Sequence, residues 1–361
     1  MSRRKSPEAI YIESKLRFNP ALRFADLVKM PDYTFDIENA FFNTVKSRYR
    51  KSKAETAFVS SDIDTPSQTI EEFEPEYDEE MLKLIPSVDP YFAMTDDARN
   101  ISDLVQTLSR VNNFNIRLVG PAGCGKTSFA VQYAARNGYP CLVMDCANVR
   151  EPRDWFGYRK FDPVTKEIVW HESLFVKLLE CPHSVIILDE LNRVSPMIIN
   201  TLIPLLDHRR ATYLEEAQKN IICAEGVTFW ASINEGSQYT GTIALDESIS
   251  DRFGLVMECK FLPSQEEKLV LHKKTGLDES VCDKLVDIAN QVRLKSQMDS
   301  GDSYSKPIST RMLENAARAF KANGPKSLQF TLLNHFPSSG GATSERNNLR
   351  TLLVGKFGQV S

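Results

Sequence analysis

The stretch 117–128, RLVGPAGCGKTS, follows a short apolar run and leads into a segment with helical periodicity. A tight turn needs one or two residues of unusual backbone freedom. Here Gly120, Gly123 and Gly125 stand together with Pro121 and Lys126. Gly120, Gly125, Lys126 and Thr127 fit the spacing G-x-x-x-x-G-K-[ST]. Glycines let the backbone curl so that successive N–H groups face inward, and the start of a helix adds its positive dipole end. The loop is therefore read as a phosphate cradle running from Gly120 through Pro121, Ala122, Gly123, Cys124, Gly125, Lys126 and Thr127 to Ser128. Lys126 is expected to reach the β- and γ-phosphates, and the Thr127 hydroxyl to ligate Mg²⁺. The alternative, a plain strand-to-helix turn, is disfavoured by four fixed positions in the required strand–loop–helix context.

A second element lies about sixty residues on, in SVIILDELNR (184–193). Four apolar residues put Asp189 and Glu190 at the carboxyl end of a strand, the edge where an α/β sheet carries its ligand. Asp189 is expected to hold the Mg²⁺ hydration shell and Glu190 to polarise the attacking water. Asp189 alone could instead be a helix N-cap; the phosphate loop upstream favours the catalytic reading. No NKxD guanine-reading motif occurs, so ATP is the expected nucleotide.

The chain of 361 residues suggests two or three units. A hydrophobic content of 42% supports a sizeable core, and a net charge of −4 gives no overall basic field for nucleic acid or anionic membrane. No apolar run is long enough to span a membrane. The N-terminus lacks the apolar core of a signal peptide, so a cytoplasmic location is expected. The seven cysteines include no CxxC pair and no zinc-like cluster. Cys146, Cys181 and Cys223, in or beside apolar runs, read as buried reduced thiols.

Charge is uneven along the chain. Residues 1–53 hold twelve Lys/Arg and six Asp/Glu, whereas 54–100 hold two and thirteen. The acidic stretch reads as a linker, disordered to about residue 82. Residues 36–51 read either as a docking helix with Phe41, Phe42 and Val45 on one face, or as a basic end folding back on that linker. From residue 101 the pattern changes. Ile101, Leu104, Val105, Leu108 and Val111 have helical spacing. Four short apolar runs, NIRLVG, CLVMDC, SVIILDE and VTFWASIN, then alternate with helical segments, which implies a parallel sheet flanked by helices. Beyond about residue 262 only helices are expected, three strong and two weaker. The division is an N-terminal extension at 1–83, largely irregular, an α/β nucleotide-binding domain at 84–261 and a small all-helical lid at 262–361.

Together these motifs resemble the AAA+ ATPases of the MoxR type, in the clade that also holds dynein-like ATPases and metal chelatase motors. The resemblance covers about residues 84–320. Residues 154–214 are similar to the family in order: a W-F-G segment, a hairpin insertion, the acidic pair, a long helix and a Leu-Leu-Asp-x-Arg end. FWASINEGSQYTGTIALDESISDRF (229–253) resembles the sensor-1 strand with its second region of homology, and PISTRML (307–313) the sensor-2 helix. IPSVDPYFAM (85–94) is similar to the approach segment of the ATPase subunit of aerobic cobaltochelatase. The resemblance implies that Asn234 is sensor 1, beside the γ-phosphate. It implies that Arg252 is an arginine finger acting on a neighbour's nucleotide and that Arg311 is sensor 2, reporting to the lid. Taken alone, either arginine reads as a surface charge or a member of an ion pair. Arg193 is a candidate for the subunit boundary. Where the family has Asn-Pro after the sensor strand, this chain has Asn234-Glu235-Gly236. The first 83 residues match no family feature.

A finger supplied in trans requires a homo-oligomer, and the resemblance implies a hexameric ring. It also implies partner remodelling, often of proteins carrying a von Willebrand A domain. Hairpins near 154–170 and 211–226 are candidates for partner contact, or are ordinary surface hairpins. The leading reading is an ATP-driven remodelling chaperone. The alternatives are the motor of a metal chelatase, a nucleic-acid translocase and a nucleotide-gated binding module. The hairpins are poor in aligned Lys/Arg, which weighs against nucleic acid. Glu190 and Arg252 together weigh against a module without turnover.

Overall fold

The computed structural model describes residues 76–109, 114–234, 243–297, 303–338 and 344–358. The readings on residues 36–51, the rest of the extension to residue 75 and Glu235-Gly236 lie outside these. The chain divides by its internal contacts into Met1–Phe73 and Glu74–Ser361, and all described residues belong to the second unit.

Five strands form one parallel sheet: β1 (Ile116–Val119), β2 (Cys141–Asp145), β5 (Val185–Asp189), β8 (Thr228–Ile233) and β9 (Leu255–Glu258), in the order β2-β5-β8-β1-β9. The four expected runs are all strands. β9 was not foreseen: it is four residues long on an edge, and only Met257 among them is buried. All six residues of β8 are buried, as a central parallel strand covered on both faces should be. Alternation splits its neighbours between two cores. Ile186, Leu188, Phe229 and Ala231 face one; Val185, Ile187, Trp230, Ile116 and Leu118 face the other.

Helices α1 (Glu79–Leu82), α2 (Asp96–Ser109) and α3 (Lys126–Asn137) come first. In α2 the expected stripe is narrower than its spacing suggested: Val105 is buried and Leu104 exposed. Two antiparallel hairpins project from the α/β unit: β3 (Gly157–Asp162) with β4 (Glu167–Glu172), and β6 (Ala211–Leu214) with β7 (Lys219–Ile222). Short helices α4 (Arg153–Phe156) and α5 (Leu174–Leu179) flank the first. The long helix expected after the acidic pair is instead α6 (Pro196–Ile199), a 3₁₀ turn and α7 (Ile203–Leu206). Pro204 lacks an N–H and restricts the residue before it, so a continuous helix is broken there. Then α8 (Glu247–Ser250) precedes β9.

The lid comprises α9 (Ser264–Thr275), α10 (Glu279–Ser296), α11 (Thr310–Asn323), α12 (Leu328–Thr331) and α13 (Glu345–Phe357) around its own core. A closed polar network crosses it. Arg293 bonds both oxygens of the fully buried Glu267, at 2.7 and 2.8 Å, and donates to the Ile308 carbonyl at 2.8 Å. Thr310 donates to Glu267 at 2.6 Å, and the Arg293 guanidinium lies 4.0 Å from the Phe261 ring centroid.

One expectation is corrected. Residues 76–82, read as disordered linker within a 1–83 extension, pack onto the α/β unit. Met81 is buried among Cys146, Trp155 and Phe175. The Tyr77 hydroxyl donates to the Pro182 carbonyl at 3.2 Å, and Cys141 N–H donates to the Leu84 carbonyl at 3.1 Å beside the edge strand β2. Asp78 caps α1 by accepting from Met81 N–H at 2.8 Å. The acidic run hides a cap and an anchor. Among the described residues no helix is long and apolar enough to cross a membrane.

Candidate functional site: a nucleotide cleft between sheet and lid

The loop 120–125 leaves β1 and enters α3 through Gly125, whose φ of 99° favours glycine. No side chain caps this helix, so its first N–H groups remain for a ligand. Two glycines are required by close approach. A Cβ on Gly120 would stand 2.1 Å from the Cys259 carbonyl oxygen, and one on Gly123 2.6 Å from Cβ of Ser309 in the lid. The loop is thus clasped between the end of β9 and the start of α11.

A cleft of about 720 Å³ opens beside it. Gly123, Thr127 and Asp189 line it beside the loop, Arg311 lines it from the lid, and Tyr91 and Phe92 also contribute to its wall. Arg311 is therefore brought to the loop by the helix that Ser309 caps.

Behind the cleft wall the expected polar residues converge. Thr127 Oγ1 donates to Asp189 at 2.7 Å. Lys126 is buried; its Nζ donates to the carbonyls of Gly120 (2.8 Å) and Pro121 (2.9 Å) and to Asn234 Oδ1 (2.8 Å). Burial pushes its pKa down, and nearby acidic groups partly restore it. Asn234 Nδ2 donates to Glu190 at 2.9 Å, so one amide joins the lysine to the carboxylate. Glu190 has φ 54° and ψ 46°, a left-handed conformation that costs a non-glycine residue of order 1 kcal/mol or more. This residue stands at the end of the strand, where its carboxylate meets the Asn234 amide. Arg193 holds its other oxygen at 2.6 Å.

Two residues escaped sequence reading. Ser232 accepts from Glu190 N–H at 3.0 Å and donates to Asp189, bridging the acidic pair from β8. Asn192 donates to the Asn234 carbonyl at 3.1 Å. Their roles come from the β5–β8 pairing, which no local motif encodes. The wall residues Tyr91, Phe92, Val270 and Lys274 were also unassigned.

Arg252 stands elsewhere. Its carbonyl accepts from Asn115, which precedes β1, while Gly120 follows β1. At about 3.3 Å per residue that strand separates them by roughly 16 Å, more than an arginine side chain spans. Arg252 is not among the residues lining the cleft.

The oxygen donors fit a hard cation. A hydroxyl and a carboxylate 2.7 Å apart at the phosphate end are the chemistry Mg²⁺ accepts while keeping most of its waters.

A family model described as an AAA domain of the dynein-related subfamily matches residues 115–253, and one described as CbbQ/NirQ/NorQ C-terminal matches 266–329. BssE of Thauera aromatica is 31% identical over 215 residues, 59% of this chain and 74% of that protein. NorQ of Paracoccus denitrificans is 30% identical over 207 residues, 57% of this chain and 73% of its own. A solved structure of a RuvB point mutant from Thermotoga maritima aligns over 77% of this chain and 89% of its own, with 12% identity and a TM-score of 0.39. With a parallel P-loop sheet, a helical lid and relatives matched over most of their length, the chain belongs to the MoxR-type AAA+ ATPases.

Proposed function

We propose that the protein is a Mg²⁺-dependent ATPase that works as a homo-oligomeric, hexameric ring and remodels a protein partner. The observation that carries the reading is the convergence of Lys126, Thr127, Asp189, Glu190 and Asn234 at the strand ends beside the cleft.

ATP would lay its phosphates along Gly120–Thr127. The Lys126 ammonium, now on the loop's own carbonyls, would exchange them for β- and γ-phosphate oxygens. Thr127 and Asp189 would hold Mg²⁺ and its waters. When bound, that ion neutralises charge on the phosphate oxygens. Glu190 would take the proton of the attacking water, and Asn234 would hold the carboxylate in line. Arg311 would read the γ-phosphate from the lid. Arg252, on the far edge of the sheet from its own loop, would serve a neighbour's nucleotide. That role requires an oligomer, and a ring is the closed arrangement in which every subunit has a neighbour to serve.

The partner's class is argued from the hairpins. β3–β4 exposes Tyr158, Phe161, Val164 and Ile168, and β6–β7 exposes Tyr213 and Ile222. Exposed apolar residues on both hairpins suit a protein surface rather than a phosphate backbone. BssE, whose name proposes a chaperone, points the same way. A von Willebrand A domain protein is the partner class we propose.

Glu190→Gln should bind ATP and hydrolyse it at least about a hundredfold more slowly, the scale of losing a general base. Phosphate release near the parent rate would remove Glu190 from this role.

A further inference from the structure

Behind Arg252 lies a buried polar pair that the scheme above does not use. Asn115 and Arg210 are 2% and 6% exposed. Arg210 Nη1 donates to Asn115 Oδ1 at 2.9 Å and to the Leu205 carbonyl at 3.0 Å; Nη2 donates to the Val227 carbonyl at 3.0 Å. The guanidinium also sits 5.3 Å from the Phe229 ring centroid. Asn115 Nδ2 passes the connection on, donating to the carbonyls of Leu206 and Arg252, both at 2.7 Å.

The main chain of Arg210 is equally committed. Its carbonyl accepts from Cys223 N–H at 2.8 Å, closing the base of the β6–β7 hairpin. Its φ of 48° is left-handed for a residue with a side chain. One residue therefore pins the hairpin base with its backbone and, through Asn115, the backbone of Arg252 with its side chain.

None of the hydrogen bonds this cation makes goes to a carboxylate. Burial pushes Arg210 down to about 10, against the pull of the Asp207 carboxylate, so it stays charged at neutral pH with carbonyl and amide oxygens as its hydrogen-bond acceptors. A buried charge with no carboxylate bonded to it, and only Asp207 acting on it from a distance, is a costly way to fill space; an apolar side chain of similar volume would pack there at less cost. What the guanidinium supplies is direction: a planar fork that fixes three acceptors at once. The tip of Arg252 also has little local support. Its Nη1 donates to the Ser248 carbonyl, while its Nε is buried without a partner.

We propose that Asn115 and Arg210 are positioning residues for the arginine finger. They set where the Arg252 backbone stands and tie that position to the base of the second hairpin. The inference rests on Arg252 acting as a finger. A finger displaced by about 1 Å loses much of its effect, because transition-state charge is stabilised only at the right distance; such a displacement costs up to ~10²-fold.

The test uses the full chain and compares Asn115→Asp, Arg210→Met, Arg252→Ala and the double variant Arg210→Met/Arg252→Ala. Asn115→Asp keeps an acceptor for Arg210 and loses both donated bonds, so it carries the test if Arg210→Met fails to fold. Asn115→Asp and Arg210→Met should each lower kcat roughly 10- to 100-fold with KM for ATP within about twofold, since the nucleotide is bound by another subunit's loop. Arg210→Lys should recover only part of the rate, keeping charge without the fork. The double variant should be no slower than Arg252→Ala, because residues acting through one another are not additive. Parent-like kcat in Asn115→Asp, beside a slow Arg252→Ala, would overturn the positioning role and leave the finger standing. Parent-like kcat in Arg252→Ala would overturn the finger reading and the inference with it. A double variant slowed by the product of the two single effects would make the pair an independent structural element.

Discussion

The phosphate end of the cleft and the ion pair inside the lid are built from the same kinds of group, arranged to opposite ends. In the lid, Glu267 is fully buried and accepts from Arg293 and Thr310, while Arg293 reaches Ile308 and stacks on Phe261. At the phosphate end, Lys126 holds carbonyls of its own loop, and Glu190 is shared between Asn234 and Arg193. The first network is closed: each partner is structural, and the result is a fixed start for the helix that carries Arg311. The second borders a cleft, and its contacts are ones that phosphate oxygens can replace. Burial of charge does not mark a functional site by itself. What marks it is charge whose present partners are exchangeable.

The contrast breaks most sharply under substitution. Arg293→Met strands a carboxylate with no exposed surface, and breaking a buried pair from one side costs about 3–5 kcal/mol. Urea unfolding should show that loss, and Glu267→Leu/Arg293→Met should recover most of it by removing the stranded charge. Lys126→Ala should do the reverse. Burial already disfavours its charged form, and water at the cleft wall can satisfy the three acceptors it leaves. Stability should fall by about 1 kcal/mol or less, while titration with a non-hydrolysable ATP analogue should show tight binding gone. A lysine variant that unfolds, or an Arg293 variant as stable as the parent, would erase the distinction.

A smaller effect is expected where the N-terminal segment meets the α/β unit. Met81→Ala should cost about 2–5 kcal/mol, toward the lower end because the site lies near the rim of the core. A chain starting at Ile85 should lose no less, whereas one starting at Glu74 keeps Met81 and its cap Asp78 and should be the more stable of the two. Equal stability of the two truncations would make the Met81 contact incidental.

What was legible in the sequence follows from how each feature is encoded. The phosphate loop reads directly because its chemistry fixes residue types at fixed spacing. The strands β1, β2, β5 and β8 read as apolar runs because both their faces are covered. Asn234 and Arg311 were placed by resemblance, and the structure brings Asn234 to Lys126 and Arg311 to the loop. Other features depend on pairings distant in the chain. Ser232 matters because β8 lies beside β5; Asn115 and Arg210 are 95 residues apart and mean nothing until the sheet closes. Met81 was hidden by its neighbours, a single anchor in an acidic run. The break at Pro204 was visible, yet the order of the family's motifs suggested a long helix there.

The mildest effect sharpens the comparison at a contact that belongs to neither network. Lys274 of the lid lies between Asp89 of the approach segment, at 3.0 Å, and Glu314, at 3.4 Å. All three line the cleft. Burial alone would raise the Asp89 carboxyl; the Tyr91 N–H and the Lys274 ammonium outweigh it and hold it below the usual carboxylate range. A carboxyl depressed in the folded state contributes stability above its unfolded pKa of about 3.9, and that contribution fades as pH falls through the folded value. The pair is partly solvated, so its worth is that of a screened ion pair, about 1 kcal/mol or less. Lys274→Met should therefore destabilise the protein slightly at pH 7, and the difference from the parent should shrink as the pH falls through the depressed folded pKa of Asp89, below which the carboxyl is protonated in both. Salt should shrink it too, while leaving the cost of Arg293→Met nearly unchanged, since a buried pair is little screened. Unfolding curves of the parent and the two variants at pH 7 and in steps from about pH 4 to about pH 2, with and without added salt, check both claims. A Lys274→Met cost that persisted at low pH would mean that the lysine acts through its packed stem rather than its charge.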